Sequence, residues 1–220
     1  MTLLTLRLPL LFLATICLPF SAHLAQGAGK AEKGIHLRLM ACEVTKEQPK
    51  VFLETKDSKS DVFDLPSSGF TAPMPVSGRA VALKAVGDDV PLSEIELPGQ
   101  GDSFAVLLAP QEPSGFAPTV VRLDDDSFKP GDYHFINCTE KTVVLKLGGT
   151  EVVLEAGNAV MSRPTEPVHN HHYMVTMSTR DDSADKIFAS TRWPLNQPKR
   201  AFVVFFTQPN GRVTYRAVDE

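Results

Sequence analysis

Two segments of this chain, roughly a hundred residues apart, carry similar strings in the same order. Residues 38–42 (Arg-Leu-Met-Ala-Cys) reappear as residues 134–138 (His-Phe-Ile-Asn-Cys), and residues 104–108 (Phe-Ala-Val-Leu-Leu) reappear as residues 202–206 (Phe-Val-Val-Phe-Phe). An internal repeat constrains a fold strongly, because each copy must form the same unit of structure. The pattern indicates an internal duplication, and the alternative is one larger β-sandwich without internal symmetry.

Strand signals fill both copies. Short runs rich in Val, Phe, Leu and Thr are bounded by Gly, Pro, Asp or Asn, and no window has the spacing of an amphipathic helix. Gly148-Gly149 predicts a hairpin over residues 142–155, and Pro209-Asn210-Gly211 predicts a second one. Seven strands per copy are typical of an immunoglobulin-like β-sandwich. The sequence therefore predicts an all-β protein of two tandem immunoglobulin-like β-sandwich repeats. The predicted strands are residues 35–42, 51–55, 61–65, 79–86, 94–97, 103–109 and 119–123, then 133–138, 142–147, 151–155, 173–179, 187–193, 200–207 and 212–218.

The chain begins with the pattern of a secretory signal peptide, assigned to residues 1–27. An apolar run follows Arg7, and small residues at Ala25 and Gly27 suit a cleavage site. We place the first repeat at residues 28–125 and the second at 126–220, with the Asp-Asp-Asp-Ser-Phe-Lys-Pro-Gly stretch at 124–131 as a solvated linker. No later segment is long and apolar enough to span a membrane, which predicts a periplasmic or secreted protein.

Charge and cysteine content narrow the class of partner. The sequence has 26 acidic and 22 basic residues, a net charge of −4, which argues against nucleic acid as a partner. Cys42 and Cys138 remain after signal cleavage, at equivalent places in the two copies. They form either a disulfide across the axis that relates the copies or a pair of separate core thiols.

The one local concentration of metal-binding side chains is the string Val168-His-Asn-His-His-Tyr173. In an extended strand His169 and His171 point to the same face, and His-x-His, with His172 beside it, is a workable half of a zinc or copper site. His134 and Cys138 are candidates for further ligands. The alternative interpretation is a solvated polar loop or strand edge.

Sequence motifs for catalysis are missing. The chain has no Gly-x-Ser-x-Gly elbow and no Gly-rich phosphate loop. Cys138 has no base beside it in sequence. The only tryptophan, Trp193, aligns with the apolar Leu97 of the first copy, which favours a position in the core. We expect a protein that is not an enzyme.

Residues 131–149 contain an aromatic-x-Asn strand, Phe135-Ile136-Asn137, then a Val-rich strand and a Gly-Gly turn. This pattern resembles the start of small exported bacterial β-domains, among them the family of the alginate O-acetylation accessory protein. The resemblance implies a non-enzymatic role in the cell envelope and assigns no binding residue. The sequence thus predicts a non-catalytic exported protein that binds or scaffolds an envelope protein or polysaccharide and uses no cofactor. The alternative is a periplasmic metal-binding protein that uses His169 and His171 to hold zinc or copper.

The metal hypothesis has a direct test. If His169 and His171 bind a divalent metal, zinc or copper should raise the melting temperature of the natural protein, because a ligand that binds only the folded state stabilises it. The double variant His169→Ala/His171→Ala should lose that rise in a thermal-unfolding assay. An equal rise in both proteins, or none in either, would contradict the hypothesis.

Overall fold

A computed structural model describes residues 34–44, 49–111, 113–164, 171–181, 184–194 and 199–220. These residues form strands, turns and loops without any helix, so the prediction of an all-β fold is confirmed. In the described part of the chain, no helix is present that could cross a membrane. The strands are β1 Ile35–Ala41, β2 Val51–Glu54, β3 Met74–Val76, β4 Ala80–Ala85, β5 Pro91–Glu96, β6 Ser103–Pro110, β7 Phe116–Arg122, β8 Tyr133–Asn137, β9 Thr142–Leu147, β10 Thr150–Leu154, β11 Ala159–Ser162, β12 His172–Arg180, β13 Asp185–Pro194, β14 Ala201–Thr207 and β15 Val213–Asp219.

The strands form four sheets. Inner sheet 1 has the order β3-β1-β6-β7, and outer sheet 1 has the order β2-β4-β5. Inner sheet 2 has the order β11-β8-β14-β15, and outer sheet 2 has the order β10-β9-β12-β13. Each inner sheet contains one parallel pair, β1 with β6 and β8 with β14, whereas the other pairs are antiparallel.

Both halves of the chain share one strand order and one set of strand directions. Strands β1, β3, β6 and β7 occupy the same places in inner sheet 1 as β8, β11, β14 and β15 do in inner sheet 2. The outer sheets match in the same way, except that β10 is an additional strand in the second half. This correspondence is what an internal duplication would produce, and the duplication itself stays a prediction.

Three apolar layers separate the four sheets. One lies between inner and outer sheet 1, and a second lies between inner and outer sheet 2. The third, which we call the seam, lies between the two inner sheets and includes Leu107, Phe202 and Val204. As a result β6 and β14 are buried on both faces: Val106 faces the first core and Leu107 faces the seam. The sequences of such strands are continuous apolar runs and do not alternate between apolar and polar residues.

Phe128 belongs to the seam, although its stretch of sequence predicts a solvated linker. Its side chain is only 4% exposed, and its ring packs edge-on against Phe202 with centroids 5.1 Å apart. The guanidinium of Arg200 also lies over the Phe128 ring, 4.8 Å from its centroid. Its polar neighbours in the sequence therefore gave no indication that this aromatic residue is part of the apolar layer between the two halves.

A charged link reinforces the seam at its edge. Glu220 accepts a hydrogen bond from Arg38 Nη1 at 2.8 Å and from Arg200 Nε at 2.6 Å. Arg38 lies on β1 of the first half and Arg200 precedes β14 of the second. One carboxylate thus connects both inner sheets through charge-assisted hydrogen bonds.

Several sequence predictions need correction. Residues 61–65 form no strand and contribute only an isolated bridge between Val51 and Phe63, because the chain there follows the edge of β2. Strands β3 and β11 were missed, since each has only three or four residues with mixed burial. Both predicted hairpins are confirmed, as is the core position of Trp193, which is 8% exposed. Cys42 and Cys138 both lie in the seam as free thiols.

The seam makes stability depend on pH through His134. This imidazole packs against Phe128 and Phe202, and burial lowers its pKa while the Asp125 carboxylate opposes that effect. Because the unfolded chain binds the proton more tightly, the free energy of unfolding should fall as pH drops through about 6.5 and level off below the folded-state pKa. Urea unfolding between pH 4.5 and 8 should show a flatter profile for His134→Phe and a steeper one for Asp125→Asn. Parallel profiles for all three proteins would contradict this role.

Candidate functional site: a groove at the end of the seam

The tips of two hairpins and one loop meet at one end of the seam. The β6–β7 tip comes from the first half, while the β14–β15 tip and the loop after β8 come from the second. Between them lie three adjacent hollows that share lining residues, and we call the three together the end groove. The end groove is therefore a surface that neither half has alone.

The first hollow, the proline hollow, has a volume of about 400 Å³. Its walls include Leu92, Phe116 and the prolines at positions 49, 110, 113 and 209. Gly115 makes this arrangement possible: its φ is +93°, and a Cβ there would lie 2.4 Å from the Leu92 carbonyl oxygen. The hairpin tip can fold against Leu92 only because this position has no side chain.

A carboxylate also faces the proline hollow. Glu43 follows β1 and lines the hollow, and its Oε2 atom is buried without a hydrogen-bond partner among the described residues. A buried carboxylate oxygen without a donor is costly. A bound molecule that supplies an N–H or O–H group at this point would remove that cost.

The middle hollow, the thiol hollow, has a volume of about 600 Å³ and contains Cys138. The Thr119 hydroxyl, from inner sheet 1, lies 3.5 Å from the Cys138 sulfur, which belongs to the second half. Burial raises the pKa of the Cys138 thiol, and burial also raises that of Cys42, with the nearby Cys138 as a second cause. Both groups are therefore neutral thiols near pH 7, which suits a structural role and not nucleophilic attack.

Asn137 fixes the loop that forms one wall of the thiol hollow. Its Nδ2 donates to the carbonyls of Lys141, Leu154 and Glu155 at 2.7–3.0 Å. Its Oδ1 accepts from both the backbone N–H and the hydroxyl of Thr139. The Asn137 side chain is only 1% exposed, and both its nitrogen and its oxygen are hydrogen-bonded. These bonds fix the conformation of residues 138–141 in the absence of a ligand.

The third hollow, the basic hollow, has a volume of about 270 Å³. Lys141, Lys186 and Arg212 line it, beside Ile187 and Phe188. The three cations come from different elements: the loop after β8, strand β13 and the β14–β15 turn. None of them forms an ion pair with another residue that the structure describes.

Two further clefts lie on the first half of the chain. One, of about 630 Å³, is beside outer sheet 1, and the other, of about 580 Å³, lies between residues 58–63 and β3. Part of their charge is paired within the protein, whereas Lys56, Glu94, Glu96 and Asp61, which also line them, form no ion pair with a described residue. The Glu54 carboxylate oxygens accept hydrogen bonds from Lys59 Nζ and Lys84 Nζ, each at 2.6 Å, and these bonds lower the pKa of the Glu54 carboxyl. We favour the end groove because both halves of the chain line it and because its basic hollow brings three cations together without a described carboxylate partner.

The predicted metal ligands are only partly located. His169 lies outside the described residues; His171 is exposed in a turn with a φ of 63°, and His172 is exposed at the start of β12. His134 faces the seam, so the core of the second half separates it from outer sheet 2 and from His172. No cluster of three or more His, Cys, Asp or Glu side chains suited to a metal occurs among the described residues. The metal site stays a prediction.

Sequence reasoning missed the residues of the end groove. Phe116, Lys141, Lys186 and Arg212 lie far apart in the chain and match no motif. The only local signal was the group of prolines at the hairpin tips, and prolines in such positions indicate turns and not a binding site.

Comparison with known proteins does not assign a family: no protein-family model matches the chain, and no curated protein matches it as a relative.

The Asn137 network yields a stability prediction. Asn137→Ala removes a donor from three carbonyls and leaves the buried Thr139 N–H without its acceptor, so the free energy of unfolding should fall by about 1–3 kcal/mol. Asn137→Asp should also destabilise the protein, because its carboxylate would face carbonyl oxygens. Exposed Asn158, whose side chain makes no described hydrogen bond, is the control, and its change to Ala should have little effect. Equal losses for Asn137→Ala and Asn158→Ala in urea unfolding would refute the role of the network.

Proposed function

We propose that this protein is a non-catalytic exported binding module of the bacterial cell envelope that holds its partner in the end groove. The observation that carries the proposal is the composition of the groove. Both halves contribute an apolar wall, and the wall is flanked by a carboxylate and three cations that have no partner among the described residues. Binding sites combine these features: concave, mostly apolar surfaces with a few polar groups that fix orientation.

The apolar part of the groove is built for contact. Leu92 and Phe116 are partly exposed, and the prolines around them lose little conformational freedom when a partner binds. The proline hollow also falls within the size range that binding pockets normally have. An incoming apolar side chain would gain burial here without displacing structure.

The chemistry of the groove favours binding over catalysis. Its most reactive side chain, Cys138, is held as a neutral thiol by burial, and its only hydrogen-bond partner in the described structure is the Thr119 hydroxyl, which is no base. A nucleophilic cysteine needs the opposite environment, one that stabilises the thiolate. Both the resemblance to exported β-domains and the predicted signal peptide agree with an envelope role.

Site-specific photo-crosslinking in the cells that make the protein tests this proposal. A photoreactive phenylalanine analogue at Ser114 or Thr207, which line the proline and thiol hollows, should give a discrete adduct. The same analogue at Asp57, an exposed residue that lines none of the clefts described above, is the matched control. Pro113→Asp, which places a charge in the proline hollow, should remove the adduct formed from Thr207.

Two results would overturn the proposal. One is the absence of any adduct from both groove positions although the protein is exported and folded. The other is an identical set of adducts from Ser114, Thr207 and Asp57, which would indicate random collision rather than a site.

A further inference from the structure

We propose that the basic hollow binds acidic side chains of an extended polypeptide, and that this polypeptide is the partner held in the end groove. The inference rests on the proposed function and makes it specific, because it names the chemistry of the occupant. The basic hollow shares Lys141 and Gly211 with the thiol hollow, so a chain in the groove would pass directly from one to the other.

The cations of the basic hollow differ from others nearby. Arg180 is paired with Asp185 at 2.8 Å, and Lys146 with Glu151 at 3.6 Å, on the same outer sheet. Lys141, Lys186 and Arg212 instead converge on one hollow without a described carboxylate between them. Like charges brought together repel one another, and an anion from outside relieves that repulsion.

The backbone that presents two of these cations is preorganised. The Lys141 N–H donates to the Thr139 hydroxyl, inside the network of Asn137. The Arg212 N–H donates to Asn210 Oδ1 at 3.0 Å, and the Arg212 carbonyl accepts from the Gln208 N–H at 2.9 Å. Fixed attachment points reduce the entropy lost when the flexible ends of the side chains bind a carboxylate.

Apolar groups beside the cations favour a polypeptide over an acidic polysaccharide. Ile187 is 63% exposed, and Phe188 packs its ring edge-on against Phe205 while it lines the hollow. Polysaccharides commonly stack on well-exposed aromatic faces. Trp193 and Tyr173 are buried in the core, and the two phenylalanines that line the groove, Phe116 and Phe188, are only partly exposed. A chain that alternates apolar and acidic side chains fits both the proline hollow and the basic hollow.

The position of strand β13 at the edge of its sheet favours a partner in an extended conformation. It is the outermost strand of outer sheet 2 and pairs only with β12 among the described strands. Lys186 and Ile187 therefore lie on a strand whose other edge pairs with no described strand. An extended peptide can add to such an edge and place alternate side chains in neighbouring pockets.

Binding of labelled poly-L-glutamate, measured by fluorescence anisotropy at low salt, tests the charge chemistry directly. The triple variant Lys141→Gln/Lys186→Gln/Arg212→Gln should bind about tenfold more weakly, since three exposed ion pairs contribute modestly each. Lys129→Gln removes an exposed charge outside the groove and should leave the affinity unchanged. Affinity should also fall as salt rises, because exposed charges are screened.

Each alternative result has a definite reading. Polyguluronate that binds as tightly as poly-L-glutamate at equal carboxylate concentration would overturn the choice of a polypeptide. Equal affinity of the triple variant and the natural protein, or no binding of poly-L-glutamate at all, would overturn the acidic occupant.

The crosslinking experiment separates this inference from the function on which it rests. In cells, the triple variant should weaken the adduct from Ser114, and protease treatment should degrade the crosslinked partner. An undiminished adduct in the triple variant would overturn the inference and leave the binding module standing. The absence of an adduct in the natural protein would instead overturn the binding module itself.

Discussion

Apolar packing between the two inner sheets is the interaction on which the rest of this structure depends. Because β6 and β14 are buried on both faces, each half presents to the other a sheet that would otherwise expose Leu107, Phe202 and Val204 to water. Burial of such surface is the dominant favourable term in folding. Phe128 and the Arg38–Glu220–Arg200 link close the edge of the same contact. The two halves thus share an apolar core and are not independent domains joined only by a linker.

The seam also accounts for where the candidate site lies. Packing the inner sheets face to face brings the β6–β7 and β14–β15 hairpin tips to the same end of the molecule, and the end groove is the space that remains between them. Gly115 lets one tip lie against Leu92, and Asn137 fixes the loop beside the other. A rigid scaffold that positions loops in this way is the usual arrangement of a binding site.

The two ends of the end groove carry charges of opposite sign. Glu43 lies at its apolar end, and Lys141, Lys186 and Arg212 lie at the opposite end. The protein as a whole carries a net charge of −4, so a local cluster of three cations without an ion-pair partner among the described residues contrasts with the overall charge. Such complementarity contributes more to the choice and orientation of a partner than to raw affinity.

The sequence by itself determined the all-β class and the two hairpins, because strand patterning, Gly-containing turns and apolar runs act over a few residues. It also determined the buried position of Trp193, through the alignment of this residue with the apolar Leu97. It could not place Phe128, whose polar neighbours resemble a linker, nor the short strands β3 and β11, which depend on pairing partners distant in the chain. The end groove could not be predicted from the sequence either, because Phe116, Cys138 and Lys186 come to line one groove only when the inner sheets pack together. Local chemistry decided which segments are strands, whereas tertiary packing, through contacts between residues far apart in sequence, decided which of their ends meet and what those ends can bind.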